Sequence, residues 1–260
     1  MSADGFKVLP FPVERNPVVD AGRLGTRRHL IHGLLEFDVT VAREFLRRRK
    51  VETGEGLSFT AFILSCLAQA VQEQPLVQAY RRGSKQLVLF DEVDVVTLIE
   101  AEAGGVAIPH IIRGANRKTF RELHAEIRAV QADPKSSTQR GRLVRWGARA
   151  PGFVRNLFYR FMLRDPVRFK RYAGTVLVTA VGMFGEGAGW GFGFLPMHTL
   201  GITLGGIALL PRYVDGQVAP RECLSVTISL DHDVVDGTPA ARFARRFKEL
   251  VESGYGLESG

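Results

Sequence analysis

The chain has 260 residues, 45% of them hydrophobic, and a formal net charge of +8 at pH 7. A chain of this length can bury a core without disulfides or a structural metal, and its two cysteines, Cys66 and Cys223, form no CxxC motif, so we expect neither a metal site nor a redox pair. No window approaches the ~18 apolar residues of a membrane span, and the first residues lack a signal-peptide pattern, which together predict a cytoplasmic protein.

The positive charge lies in one segment. Residues 135–171 contain eleven lysines and arginines and one acid, Asp165, so the segment carries +10 and the other residues about −2. No helix-turn-helix, zinc-finger or RNP-like pattern accompanies this charge. We therefore do not favour a nucleic-acid partner and interpret the segment as a local insertion.

The first predicted element is an extended arm over residues 1–20, where Pro10, Pro12 and Pro17 favour extended backbone. One domain follows over residues 21–254, beginning with a strand in LLEFDVT and a basic helix. Residues 57–74 are apolar around most of a helical circumference, which predicts a buried helix.

Strands dominate the next part of the chain. The runs QLVLF, VDVVTLIEAE and VAIPHII are predicted strands, with a turn at Gly104 and Gly105 before the last of them. Residues 117–130 place apolar side chains on one face of a helix. The basic insertion, at about residues 133–173, is predicted to be partly helical.

The carboxy-terminal part contains a hairpin turn at Asp215 and Gly216 and a strand over residues 224–230, in which apolar and polar side chains alternate. The strand runs into SLDHDVVDG, and an amphipathic helix follows. His232 is thus expected at a strand-to-helix turn, where a rigid scaffold can present a side chain to a cleft. Strands and helices intermingle, which favours a mixed β-sheet flanked by helices in an α/β domain.

The order of these pieces resembles the catalytic domain of the dihydrolipoamide acyltransferases, the E2 components of 2-oxoacid dehydrogenase complexes, and more distantly chloramphenicol acetyltransferase. LDHDVVDG is similar to the family's DHxxxDG signature, and LLEFDVT to its early V-D-V-T strand. Residues 57–79 and 86–127 are similar to its buried helix and to the strands and helix start that follow. The resemblance implies the CoA-dependent acyltransferase fold of chloramphenicol acetyltransferase.

The resemblance also implies a reaction, the transfer of an acyl group between coenzyme A and a dihydrolipoyl-like thiol or another acceptor. His232 would be the general base, a task that suits imidazole because its unperturbed pKa is ~6.5. Thr179, in VLVTAVG, stands where the family has a serine that donates a hydrogen bond to the oxyanion. Without the family context, HxxxDG is more often a solvent-facing turn with a capping acid, and a threonine in a strand usually packs.

Structural roles at the site follow from the same resemblance. Asp236 would pair with an arginine and fix the turn that aims His232. Arg15 is the first candidate for that arginine, with Arg27 and Arg28 as competitors, and Gly237 would permit a tight turn.

Two departures from the family pattern stand out, and the first of them supports an alternative function. Ala180 stands where the family has an asparagine, and the basic insertion replaces a short link. We also expect no covalent lipoyl group on this chain, so a separate lipoyl-bearing protein would have to serve it. The alternative is a catalytically reduced, oligomeric scaffold or binding protein of the same fold.

The glycine-rich loop GEGAGWGFGF, residues 185–194, matches neither GxxxxGK[ST] nor a correctly spaced GxGxxG. We therefore interpret it as a channel or interface loop rather than a phosphate-binding loop. Trp190, Phe192 and Phe194 are candidates for the lining of an acyl pocket. The HxxH of His29 and His32 is not expected to bind metal, because residues three apart on a strand face opposite sides.

Within the insertion, apolar residues recur at helical spacing from residue 153 to residue 162, with arginines around them. Such a stripe favours an internal or inter-subunit packing surface; a membrane-surface helix and a surface for an anionic partner are the less favoured alternatives. From the family resemblance we expect a homotrimer or a multiple of trimers, in which the catalytic groups meet across subunit boundaries.

Overall fold

The computed structural model describes residues 6–99, 108–133, 137, 149–181 and 187–257. The strands are β1 (Leu30–Asp38), β2 (Tyr80–Arg82), β3 (Gln86–Val88), β4 (Val95–Ile99), β5 (Ile108–Ile112), β6 (Val176–Ala180), β7 (Leu200–Val214) and β8 (Gln217–Asp231). The helices are α1 (Asn16–Gly25), α2 (Thr40–Thr53), α3 (Phe59–Glu73), α4 (Phe120–Ala132), α5 (Gly152–Leu163), α6 (Pro166–Ala173) and α7 (Gly237–Glu252). None of the helices in the described ranges is long and apolar enough to cross a membrane.

Six strands form one mixed sheet in the order β1-β8-β7-β6-β4-β5. β6 pairs in parallel with both β4 and β7, and the other neighbours are antiparallel. Helices flank this sheet, so the predicted mixed sheet with flanking helices is confirmed. β2 and β3 form a separate hairpin. The prediction that QLVLF is one strand of the main sheet is therefore corrected: only its first three residues are paired, and their partner is β2.

The core lies between one face of the sheet and the helices α3, α4 and α7. α3 is buried around most of its circumference, as its sequence predicts, and its C-cap, Gln74, directly precedes Pro75. Ser58 caps its start by accepting a hydrogen bond from the backbone N–H of Ala61, at 3.2 Å. α4 begins with a capping box formed by Thr119 and Glu122. Local signals and core packing therefore specify the same helices.

The two long strands β7 and β8 are joined at Asp215 and Gly216, the predicted hairpin turn. Both residues have positive φ, 50° and 83°, which matches the twist that a two-residue hairpin requires. On β8, Val226 and Ile228 face the core, as the alternation predicts. The polar face is also buried, since Thr227 has no exposed surface. A strand with one buried face was expected, and both faces are covered.

The amino-terminal residues depart from the extended arm predicted over residues 1–20. Residues 6–12 have no regular structure, a short 3-10 helix spans Val13–Arg15, and α1 begins at Asn16. The expectation is wrong from residue 13 onward, because Pro17 lies in the first turn of α1, where the missing N–H costs no hydrogen bond. The basic insertion contributes α5 and α6, while residues 134–136 and 138–148 lie outside the described residues.

Candidate functional site

His232 lies in the turn between β8 and α7, which we call the corner. Backbone hydrogen bonds hold this turn in place. The backbone N–H of His232 donates to the carbonyl of His29, at 2.8 Å, and those of Val234 and Val235 donate to the carbonyl of Asp231, both at 3.0 Å. Val235 is fully buried, whereas the side chain of His232 is exposed. The backbone therefore orients the imidazole while leaving it open to a second molecule.

A buried ion pair supports this corner from beneath. Nη1 of Arg28 lies 2.6 Å from Oδ2 of Asp231 and also donates to the carbonyl of His198, at 3.1 Å. Asp231 is buried, so its carboxylate needs a charged partner. His198 is itself buried, with Nε2 2.7 Å from the carbonyl of Ala173, and burial lowers its pKa to about 4. Near neutral pH it is an uncharged donor.

The arginine that anchors the corner is thus Arg28, which the sequence offers as a competitor of Arg15. Its partner is Asp231 rather than Asp236. Arg15 is exposed, and no ion pair joins Arg15 to Asp236 within the described residues. The described part of a single chain therefore does not contain the predicted pairing. Asp236 is exposed and precedes α7 as its N-cap without a side-chain hydrogen bond.

Gly237 is the first residue of α7, and its surroundings do not require a glycine. Its φ is not in the positive range, and a Cβ at this position would meet no atom within 4 Å. The prediction that Gly237 permits a tight turn is therefore not supported by the geometry of one chain. The helix begins at Gly237, two residues before Pro239, which lies in its first turn.

Asp233 continues the charged cluster at the corner. Its carboxylate lies 2.9 Å from Nδ1 of His29 and 3.4 Å from Nη1 of Arg81. The hydrogen bond with His29 is the main reason why the pKa of Asp233 lies below its usual value. A cavity of about 270 Å³ opens beside this cluster, and Arg28, Asp231, Asp233 and the aromatic ring of Phe169 line part of it.

Thr179 lies on β6, on the polar face of the sheet. It is directly opposite Thr203 of β7, which is opposite Thr227 of β8, so three hydroxyl side chains form one row. The backbone N–H of Gly193 donates to Oγ1 of Thr203, at 3.0 Å. A Cβ on Gly193 would lie 2.9 Å from Cγ2 of Thr179 and 2.4 Å from Oγ1 of Thr203, so only glycine lets the loop approach this row.

The strand register separates Thr179 from His232 within one chain. Thr179 shares its row with Thr227, whereas His232 follows Asp231, four residues farther along β8 and two strands away. At ~3.3 Å per residue and ~4.8 Å per strand, Asp231 lies roughly 16 Å from Thr179. A hydroxyl and an imidazole at this separation cannot act on the same carbonyl group. A single chain does not bring the two predicted catalytic residues together.

The three aromatic residues predicted to line an acyl pocket are spread along the loop. Nε1 of Trp190 donates to the carbonyl of Leu35, at 3.1 Å, and Trp190 lines a cavity of about 730 Å³ beside the β7–β8 hairpin. Phe192 lies edge-on to His32, with ring centroids 5.3 Å apart, and Phe194 approaches Gly22 of α1. Phe192 and Phe194 do not line that cavity, so the three aromatic residues do not share it.

Neither His29 nor His32 takes part in a metal-like cluster. The described part of the chain contains no group of three or more His, Cys, Asp or Glu side chains that could hold a metal ion. Instead, Nδ1 of His32 lies 2.8 Å from Oγ of Ser229, on the adjacent strand. Gly182 to Phe184, the segment directly after the predicted oxyanion donor, lies outside the described residues.

Comparison with known proteins places this geometry in a family context. The family model described as "2-oxoacid dehydrogenases acyltransferase (catalytic domain)" matches residues 31–140 and 171–257. The lipoamide acyltransferase component of the branched-chain alpha-keto acid dehydrogenase complex of Bacillus subtilis is 24% identical over 97% of this chain and 54% of its own length. A probable dihydrolipoyllysine-residue succinyltransferase component from Schizosaccharomyces pombe is 26% identical over 77% of this chain and 38% of its own. The chain spans about half the length of these relatives, or less.

Solved structures agree on the fold. A probable dihydrolipoamide acetyltransferase from Listeria monocytogenes superposes with a TM-score of 0.73 at 20% identity, over 97% of both chains. Chloramphenicol acetyltransferase superposes with a TM-score of 0.54 at 14% identity, over 93% of this chain and 98% of that chain. The predicted chloramphenicol acetyltransferase-like fold is confirmed.

Proposed function

Because the chain belongs to the family of 2-oxoacid dehydrogenase acyltransferase catalytic domains, we propose that it transfers an acyl group between coenzyme A and a thiol acceptor. One observation carries the proposal: DHDVVDG follows β8 within the family match, with the side chain of His232 exposed and its backbone held. The relatives' names, which refer to lipoamide and dihydrolipoyllysine, support a dihydrolipoyl thiol as the acceptor. A separate lipoyl-bearing protein would supply it.

The proposed reaction needs a base and an oxyanion donor. His232 takes the proton of the attacking thiol, and the thiolate adds to the carbonyl carbon of the acyl thioester. The resulting oxyanion accepts a hydrogen bond from the hydroxyl of Thr179. When the intermediate collapses, the C–S bond of the donor breaks, and the departing thiolate takes the proton back from His232. No metal takes part in these steps.

The catalytic pair is proposed to form between two copies of the chain. The register of the sheet keeps Thr179 and His232 far apart in one chain, so a shared site requires Thr179 from one subunit and His232 from the next. A homotrimer, or a multiple of trimers, closes such a head-to-tail arrangement. A solved relative of the fold is described as the cubic core of the pyruvate dehydrogenase multienzyme complex, which supports this symmetry.

Point substitutions test the two roles. With acetyl-CoA or a branched acyl-CoA and free dihydrolipoamide, we expect His232→Ala to lower kcat by ~10²–10⁴-fold and Thr179→Val by ~10²–10³-fold. Thr179→Ser should keep most of the activity, because it keeps the hydroxyl. His29→Ala, which removes another exposed imidazole from the same corner, is the control and should change kcat far less.

Mixed oligomers test the shared site. If copies carrying His232→Ala are co-assembled with copies carrying Thr179→Val, each mixed trimer contains one site with both native residues. Random mixing then restores about a quarter of the wild-type sites, although each variant alone is inactive. A mixture that regains no activity, from variants shown by mass to co-assemble, would contradict a site shared between subunits.

The alternative function is a scaffold or binding protein that has lost turnover. Ala180, which is exposed beside Thr179, favours it, because the family pattern has an asparagine there. Binding of coenzyme A measured by calorimetry separates the two functions. The scaffold is supported by an intact oligomer that neither binds coenzyme A nor shows His232-dependent turnover with any acyl donor.

A further inference from the structure

Helix α5 turns its apolar side chains away from the protein. Val154, Leu157, Phe158 and Phe161 follow one another at spacings of three, one and three residues, which places them on one face. Their exposed fractions are 41%, 68%, 54% and 54%. Of the predicted packing surface, internal or between subunits, the internal form is therefore wrong, and the inter-subunit form stays a prediction. We call these four residues the outer stripe.

One flank of α5, adjoining the outer stripe, is fixed to the protein. Nε and Nη2 of Arg155 lie 2.5 and 3.3 Å from the two carboxylate oxygens of Asp20 in α1, and both side chains are largely buried. Met162, two turns farther along the helix, is also buried. An ion pair and a buried side chain thus hold the helix so that the outer stripe faces solvent.

Cationic side chains accompany the outer stripe. Arg160 and Arg164 are exposed beside it, and the guanidinium of Arg168 lies 3.7 Å from the centroid of the Phe161 ring. Residues 149–173 contain seven basic side chains and one acid, Asp165, a balance of +6. Asp165 is itself engaged by Arg82 and Arg168. An apolar stripe with arginines at its margin matches the boundary between the headgroups and acyl chains of an anionic bilayer.

We propose that the outer stripe of α5 docks on an anionic lipid surface. With 12 residues the helix is too short to span a bilayer but long enough to lie in its interface. A second copy that docked through the same face would bring its own excess of positive charge to the contact, so charge complementarity favours lipid over pairing of this face with itself. The family match is interrupted between residues 140 and 171, so α5 lies outside the segments that the family model matches.

Vesicle flotation with the full chain tests the proposal. The protein is mixed with vesicles of phosphatidylcholine alone or of phosphatidylcholine with phosphatidylglycerol. We expect it to float with the anionic vesicles only, and the bound fraction to fall as salt is added, because the arginines act through screened electrostatics. The measurement does not involve acyl transfer, so it is independent of the proposed function.

Variants assign the binding to α5. Phe158→Asp with Phe161→Asp should weaken partitioning by more than ~100-fold, and Arg160→Gln with Arg164→Gln by about 30-fold. Val51→Asp on α2 and Arg242→Gln with Arg245→Gln on α7 change equally exposed side chains and should leave partitioning unchanged. A circular dichroism melt of each variant establishes that it is folded.

Three results would overturn the proposal. The first is equal binding to neutral and anionic vesicles. The second is unchanged binding in both α5 variants. The third is a wild-type protein that does not bind vesicles, together with a lower oligomer mass for the variant Phe158→Asp with Phe161→Asp. That result would assign the stripe to a contact between copies.

Discussion

Helices α7 and α5 carry similar sequence patterns and have opposite environments. In α7, Phe243 and Phe247 are fully buried, and the ring of Phe247 meets that of Phe37 on β1 edge-on, with centroids 5.1 Å apart. In α5, Phe158 and Phe161 lie on a comparable stripe and are about half exposed. Arginines border the apolar stripe in both helices. Periodicity therefore predicts a helix and its apolar face, and a separate surface decides whether that face is covered.

The difference has a physical origin in what each helix rests against. α7 packs on α3 and on the apolar face of the sheet. Burial of a phenylalanine there removes both its ring and the apolar surface beneath it from water. α5 rests on α1 through the ion pair of Arg155 and Asp20. A polar anchor leaves the apolar side free, so α7 should contribute to stability and α5 to interaction.

The largest expected effect is a difference in the free energy of unfolding between substitutions in the apolar stripes of α7 and α5. Phe247→Ala should lower the free energy of unfolding by ~3–5 kcal/mol, because it opens a cavity in a core that cannot collapse fully around it. Phe158→Ala should change it by less than ~1 kcal/mol, because the side chain is already half in water. Urea unfolding followed by circular dichroism measures both at a fixed protein concentration. Equal losses for the two variants would mean that the α5 stripe is covered in solution.

A second prediction concerns how the free energy of unfolding depends on pH near α7. His198, buried beneath the corner that leads into α7, has a pKa of about 4, below the ~6.5 of an unfolded chain. As the pH falls below ~6.5, the unfolded state takes up a proton that the folded state refuses, so stability present above pH ~6.5 is lost towards pH 4. At ~1.4 kcal/mol per pKa unit, the loss amounts to ~3 kcal/mol.

The control for this prediction is His198→Gln, which keeps a donor for the carbonyl of Ala173 and does not titrate in this range. The difference between the wild-type and variant unfolding free energies, measured from pH 7 to pH 4, isolates the histidine from the carboxylates that titrate in the same interval. A difference that does not change with pH would show that His198 is accessible to protons in the folded protein.

Much of the fold follows from the sequence because local and long-range signals agree. The alternation in β8, the hairpin residues Asp215 and Gly216 and the all-round apolarity of α3 each specify an element that the structure contains. The covered polar face of β8 was missed, because the glycine-rich loop that covers it comes from a distant part of the chain.

The candidate site is less predictable, because its contacts join residues that lie far apart in the sequence. His232 is marked by its motif, but the ion pair of Arg28 and Asp231 depends on the register of β1 against β8, in which Leu30 lies opposite Asp231. Long-range ion pairs leave no periodic signal in a sequence. The separation of Thr179 from His232 likewise follows from strand register, which is fixed only when β6, β7 and β8 are paired.

The smallest expected effect concerns the anchor of α5. Arg155→Met removes the partner of a largely buried carboxylate, Asp20, and should release α5 locally without unfolding the core. Limited proteolysis should then cut within residues 152–163 faster than in the wild type, while the urea midpoint moves less than it does for Phe247→Ala. Adding Asp20→Leu should slow the cleavage again, because no unpaired charge remains buried.

Arg245→Met, which removes one partner of an exposed pair with Glu249, is the control. If Arg155→Met destabilises the whole chain as much as Phe247→Ala does, α5 unfolds together with the core, and its exposed stripe belongs to the same cooperative unit as α7.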